Sequence, residues 1–98
     1  MQYIITAYDG ENMLEKRLKI RPRHLENMTR VKGKVLCAGG ILDDEGTMKG
    51  SMLVIDFAEK ADLDEYLQNE PYIIEKVWEK VHVENMNVVI LNGEKVGQ

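Results

Sequence analysis

Lys34-Val35-Leu36-Cys37-Ala38-Gly39-Gly40-Ile41-Leu42, Asp43-Asp44-Glu45-Gly46 and Thr47-Met48-Lys49-Gly50-Ser51-Met52-Leu53-Val54-Ile55-Asp56-Phe57 run on from one another in the middle of the chain. They read as a strand, a tight turn and a returning strand, with Gly46 where the turn needs a positive φ. Ser51, Leu53, Ile55 and Phe57 recur every second residue, so they share one face of the returning strand. Gly39-Gly40 inside the outgoing strand signals a bulge or another group approaching the backbone closely. Cys37, in mid-strand, reads as a small buried hydrophobe.

Outward from this hairpin the pattern repeats on both sides. Upstream, Tyr3 to Tyr8 reads as a strand with Tyr3, Ile5 and Ala7 on one face. Residues 10–20 read as charged and irregular, with at most a short helical turn through Met13, Leu14, Leu18 and Ile20. A helix is expected to begin at Pro22, since proline suits a first helical position, and to stop at Gly33. Leu25, Met28 and Val31 or Lys32 give it an apolar stripe.

Downstream, Glu59 to Gln68 reads as a second helix that buries Leu63, Tyr66 and Leu67, and Pro71 blocks its continuation. The last strand is expected from Val77 to Leu91, with Val77, Val81 and Val83 on one side and Trp78, Lys80 and His82 on the other. Val88-Val89-Ile90-Leu91 has no polar face, which calls for cover on both sides, with a second subunit as one source of it.

The resulting order is β-α-β-β-α-β, a ferredoxin-like α+β fold of four antiparallel strands with two helices on one face. The other face is left bare and apolar, which predicts a homodimer formed face to face.

The 98 residues suit one domain over 1–98, and 44% hydrophobic content is enough for a core. One cysteine excludes an intrachain disulfide and fits a cytoplasmic location. No apolar run reaches a membrane span and the start lacks a basic n-region, so neither membrane insertion nor export is expected. The net charge of −4 is uneven: eight basic residues and one acid between Lys16 and Lys34 give that segment +7. It reads either as a solvated helix face or as a positive field that draws in a small anion. Nucleic acid is not an expected partner, because no aromatics are interleaved with the basic residues.

No phosphate loop, dinucleotide fingerprint, CxxC pair or HExxH motif is present, and the two histidines lie 58 positions apart without a third ligand at metal spacing. Neither a metal nor a cofactor is therefore expected. His82 reads as a strand-edge or surface residue. His24 falls in the first turn of the expected helix, where free N–H groups and the helix dipole favour the neutral ring. It reads either as a general base or as a plain surface histidine. A carboxylate on its other nitrogen would fix the tautomer, and both Glu70 and Asp9 are candidates.

Arg21-Pro22-Arg23-His24-Leu25, Ala38-Gly39-Gly40, Gly46-Thr47-Met48-Lys49-Gly50-Ser51 and Glu70-Pro71-Tyr72 together resemble the YCII-related family, over nearly the whole chain from Tyr3 to about Ile90. The resemblance implies a dimeric α+β barrel of two ferredoxin-like subunits. It also implies a pocket lined by a helix histidine and an aspartate before proline, which map to His24 and Glu70, with Gly50-Ser51 lining the same pocket. A few family members are linked to breakdown of chlorinated aromatic compounds. Glu70 stands where the family usually has aspartate, so the longer side chain either curls back onto His24 or leaves the pair open.

Two readings follow. In the first, the chain is a small cofactor-independent enzyme of the lyase, isomerase or dehydrochlorinase kind. His24 and Glu70 transfer a proton, and Ser51, Asp9, Arg21 and Gly40 contact a small anionic or cyclic substrate. In the second it is a non-catalytic dimer that binds a small metabolite or serves as an interaction module. A haem- or flavin-using monooxygenase is a weaker third option.

Overall fold

A computed structural model describes residues 1–98. Strand β1 (Gln2–Asp9) leads into helix α1 (Leu14–Thr29), followed by β2 (Gly33–Leu42), β3 (Met48–Phe57), α2 (Lys60–Asn69), the single turn α3 (Pro71–Ile74) and β4 (Trp78–Met86). A small hairpin of β5 (Ile90–Leu91) and β6 (Glu94–Lys95) ends the chain. The main sheet is antiparallel in the order β2-β3-β1-β4. That is the α+β, ferredoxin-like arrangement expected from the element order.

The alternation read from the sequence places the core. Tyr3, Ile5 and Ala7 of β1 and Ser51, Leu53, Ile55 and Phe57 of β3 are all buried. They pack against Ile20 of α1 and Leu63 and Tyr66 of α2. Gly50 leaves no room for a side chain, since a Cβ there would clash with the Ala7 carbonyl oxygen.

Several expectations need correction. Helix α1 starts at Leu14 and carries Pro22 in its interior, so residues 14–20 are helical and His24 lies in mid-helix. The dipole argument for a neutral His24 therefore does not apply. Pro22 provides no N–H for the Leu18 carbonyl. The helix continues through it because Arg17, Ile20 and His24 bury one face on the sheet. The Tyr72 hydroxyl also donates to the adjacent Arg17 carbonyl at 3.2 Å.

At the sheet edges, bulges change which side chains face inward. Tyr8 pairs with Lys80 but Asp9 pairs with Trp78, so Glu79 is an extra residue on β4. The bulge turns Trp78 onto the helix side, buried, while Lys80 and His82 remain on the open face. A second irregularity beside Leu36 sets Cys37 opposite Val54, where it is exposed rather than buried. The final apolar run is not a covered strand: Val88 is buried, but Ile90 is 58% exposed.

Candidate functional site

Two buried polar pairs sit side by side beneath α1. Arg17 and His24 are seven residues apart, about two helical turns, so they project from the same face. Both point at the end of the sheet where β1 finishes and α3 begins. Arg17, only 2% exposed, donates through Nε to Asp9 Oδ2 at 2.6 Å and through Nη2 to Asp9 Oδ1 at 3.0 Å. The same Nη2 reaches Ser51 Oγ at 2.7 Å. Asp9 ends β1, and Ser51 pairs with Gly40 across β2 and β3.

The second pair joins His24 Nδ1 to Glu70 Oε1 at 2.6 Å, with Glu70 wholly buried. Glu70 leaves α2 with an extended backbone and caps α3, accepting from the Tyr72 N–H at 3.1 Å. Its other oxygen, Oε2, accepts from the Tyr66 hydroxyl at 2.5 Å. The longer glutamate side chain thus curls back onto His24. Asp9, the other carboxylate considered for that role, is paired with Arg17 instead.

Tyr72 links the pairs. Its ring stacks on His24 with centroids 4.3 Å apart and planes 18° from parallel, and the Arg17 guanidinium lies 4.7 Å from its centroid. Trp78 meets His24 edge-on at 5.7 Å. The aromatic packing holds the imidazole plane while Glu70 fixes its tautomer.

A cavity of about 120 Å³ opens beside these groups. Arg17, Arg21, His24 and Ser51 give it a polar side, and Leu25, Met28 and Met48 an apolar one, with Gly40 between. Neither Glu70 nor Asp9 lines it; each stands behind a residue that does. His24 Nε2 and Arg17 Nη1 make no hydrogen bond within the chain, and both residues line the cavity. At about 120 Å³ the space is somewhat smaller than the roughly 150 Å³ cavity known to hold benzene, so it is on the scale of one small ring.

A more open groove of about 380 Å³ runs between α1 and α2, but Glu26–Arg30 and Lys32–Glu65 ion pairs balance its charges. It contains neither His24 nor Ser51.

All six site residues named from the sequence therefore converge: His24, Ser51, Arg21 and Gly40 at the cavity, Glu70 and Asp9 one contact behind. The sequence reading did not single out Arg17, which it counted only among the basic residues of the +7 segment, and it missed the support from Tyr66, Tyr72 and Trp78. Arg17 was findable, since it stands seven residues before His24, once α1 is extended upstream of Pro22.

Burial, reinforced by the Glu70 charge and hydrogen bond, pushes the Tyr66 hydroxyl far above the ordinary phenol range. Burial also raises Tyr72, with Arg17 and Arg21 partly opposing it. Both tyrosines keep their protons where the unfolded chain would lose them, above pH about 10. Their contribution to stability is fully present below that pH and is lost as pH rises toward the folded values. The loss approaches about 1.4 kcal/mol per pH unit for Tyr66, whose shift is large. Urea unfolding at pH 9, 10 and 11 is expected to show this decline, and Tyr66→Phe is expected to flatten it.

The YCII-related domain model matches residues 1–87. Protein YciI of Escherichia coli is 32% identical over 91 residues, covering 85% of this chain and 93% of that protein. Aspercryptin biosynthesis cluster protein B of Emericella nidulans is 32% identical over 87 residues; the match covers 80% of this chain but spans only 56% of that longer protein. Among solved structures, 5-chloro-2-hydroxyhydroquinone dehydrochlorinase (TftG) from Burkholderia phenoliruptrix, in complex with 2,5-dihydroxybenzoquinone, superposes with a TM-score of 0.79. It is 22% identical, and the match covers 89% of this chain and 94% of that one, a likeness of fold.

Proposed function

The chain belongs to the YCII-related family, and from that premise we propose that it is a small enzyme that moves a proton on a compact, anionic, ring-shaped metabolite. The observation that carries this reading is the His24–Glu70 pair at 2.6 Å, with the opposite ring nitrogen free beside a cavity of about 120 Å³. Glu70 accepts from Nδ1, so in the neutral ring the basic lone pair is on Nε2, which faces away from the carboxylate. When Nε2 takes a proton, the buried carboxylate stabilises the imidazolium. Arg17 and Arg21, with the Ser51 hydroxyl, hold an oxygen of the substrate whose negative charge grows as the proton leaves.

These parts suit elimination or isomerisation. In a dehydrochlorination, His24 accepts the proton and chloride departs with the C–Cl electron pair. No electron passes to or from the protein, so the reading needs no redox cofactor. The fold likeness to a dehydrochlorinase whose ligand is a hydroxylated quinone supports a planar oxygenated ring as substrate. We also propose that two chains pair through the open sheet face, where Tyr8 and Met86 are exposed beside Ile4 and Met52. Sedimentation at twice the 11.3 kDa chain mass would support that pairing, and a monomer would exclude it. The lone, unbonded Cys37 fits a cytoplasmic location.

The test uses 5-chloro-2-hydroxyhydroquinone as substrate and chloride release as readout. Release above the uncatalysed rate supports the enzyme. Stoichiometric binding of 2,5-dihydroxybenzoquinone without turnover of this or any related chlorinated hydroquinone favours a binding module instead.

A further inference from the structure

We propose that Tyr66 is the positioning residue of this site: its hydroxyl tethers the far oxygen of Glu70, so that the near oxygen faces His24 and the carboxylate remains an anion while the imidazole takes up a proton. The inference rests on the proton-transfer reading above and adds to it a residue that touches neither the cavity nor His24.

Glu70 is 0% exposed, so its oxygens depend on the protein for hydrogen bonds. Oε1 receives two, from His24 Nδ1 at 2.6 Å and the Tyr72 N–H at 3.1 Å. Oε2 receives one, from Tyr66 at 2.5 Å, and nothing else replaces it. Tyr66 stands four residues before Glu70 in the last turn of α2, the spacing at which helix side chains meet. A glutamate has one more rotatable bond than an aspartate, so a tether at its outer oxygen is what holds the longer arm in one pose.

No other donor lies within hydrogen-bond distance of Oε2. From α1 the charged groups facing this cluster are His24, Arg17 and Arg21, and from β1 Asp9; from α3 the titratable neighbour is Tyr72. Arg17 is engaged by Asp9 and Ser51, and the Tyr72 hydroxyl by the Arg17 carbonyl. Burial and the Glu70 charge keep the proton on Tyr66, so it acts only as a donor.

The test follows the Glu70 side-chain carboxyl carbon and the His24 ring nitrogens by NMR across pH, in wild type and Tyr66→Phe. Without the hydroxyl, the pH at which Glu70 takes up a proton is expected to rise by about one unit or more. The single Nδ1–H pattern of His24 is expected to give way to a mixture of tautomers. A role in packing alone would move the unfolding midpoint and leave both curves in place, and that result overturns the proposal.

Should Tyr66→Phe not fold, 3-fluorotyrosine incorporated throughout keeps the side chain and makes the hydroxyl a stronger donor. The Glu70 midpoint is then expected to fall, and an unmoved midpoint overturns the proposal equally. No substrate enters these measurements, so their failure is distinct from an absence of turnover.

Discussion

On the proposed proton-transfer reading, replacing His24 with alanine is expected to lower any chloride release from 5-chloro-2-hydroxyhydroquinone by roughly 10²- to 10⁴-fold, the range that a positioned general base contributes. The fold should survive, because Glu70 keeps two of its three hydrogen bonds, from Tyr66 and the Tyr72 N–H. Binding of 2,5-dihydroxybenzoquinone should fall far less than turnover, since Arg17, Arg21 and Ser51 still line the cavity. Steady-state rates, with a circular dichroism spectrum of the variant, check both parts. A variant that keeps the wild-type rate would remove His24 from the chemistry.

Replacing Asp9 with alanine is expected to cost about 3–5 kcal/mol of stability, the loss that follows when one partner of a buried ion pair is removed. Arg17 is 2% exposed and donates two charge-assisted hydrogen bonds to Asp9, so the guanidinium would be left charged and without its counter-ion. Its grip on Ser51 would loosen as well, which couples the fold to the cavity. The double variant Asp9→Leu with Arg17→Met should recover much of the stability, because no unpaired charge then stays buried. Urea denaturation of the single and double variants gives the coupling directly. Additive losses would show that the two residues do not depend on each other.

The two central strands, β1 and β3, are legible in the chain because each buries one face, so Tyr3, Ile5 and Ala7 or Leu53, Ile55 and Phe57 announce themselves by period. The start of α1 is not, for a physical reason. Pro22 fits a first helical position better than an interior one, and only the tertiary burial of Arg17 and Ile20 outweighs its missing hydrogen bond. That single boundary moved His24 from a helix end to a helix middle and left Arg17 unremarked within the basic segment. Trp78 was misassigned for another reason: strict alternation cannot foresee the extra residue Glu79.

The site was partly legible. Glu70 drew attention as a carboxylate before proline, yet whether it reached His24 depends on a three-dimensional path that spacing does not reveal. Tyr66 carried a usable signal, four residues before Glu70 on an expected helix. Its buried hydroxyl gained meaning only when the partner of Oε2 was seen.

The most direct measurement is an NMR titration of the His24 ring nitrogens and the Arg17 guanidinium with 2,5-dihydroxybenzoquinone. The account predicts saturable shifts at both residues with one ligand per chain, abolished together when the cavity is filled by Ser51→Phe. Shifts confined to other parts of the chain, or none at all, would contradict it.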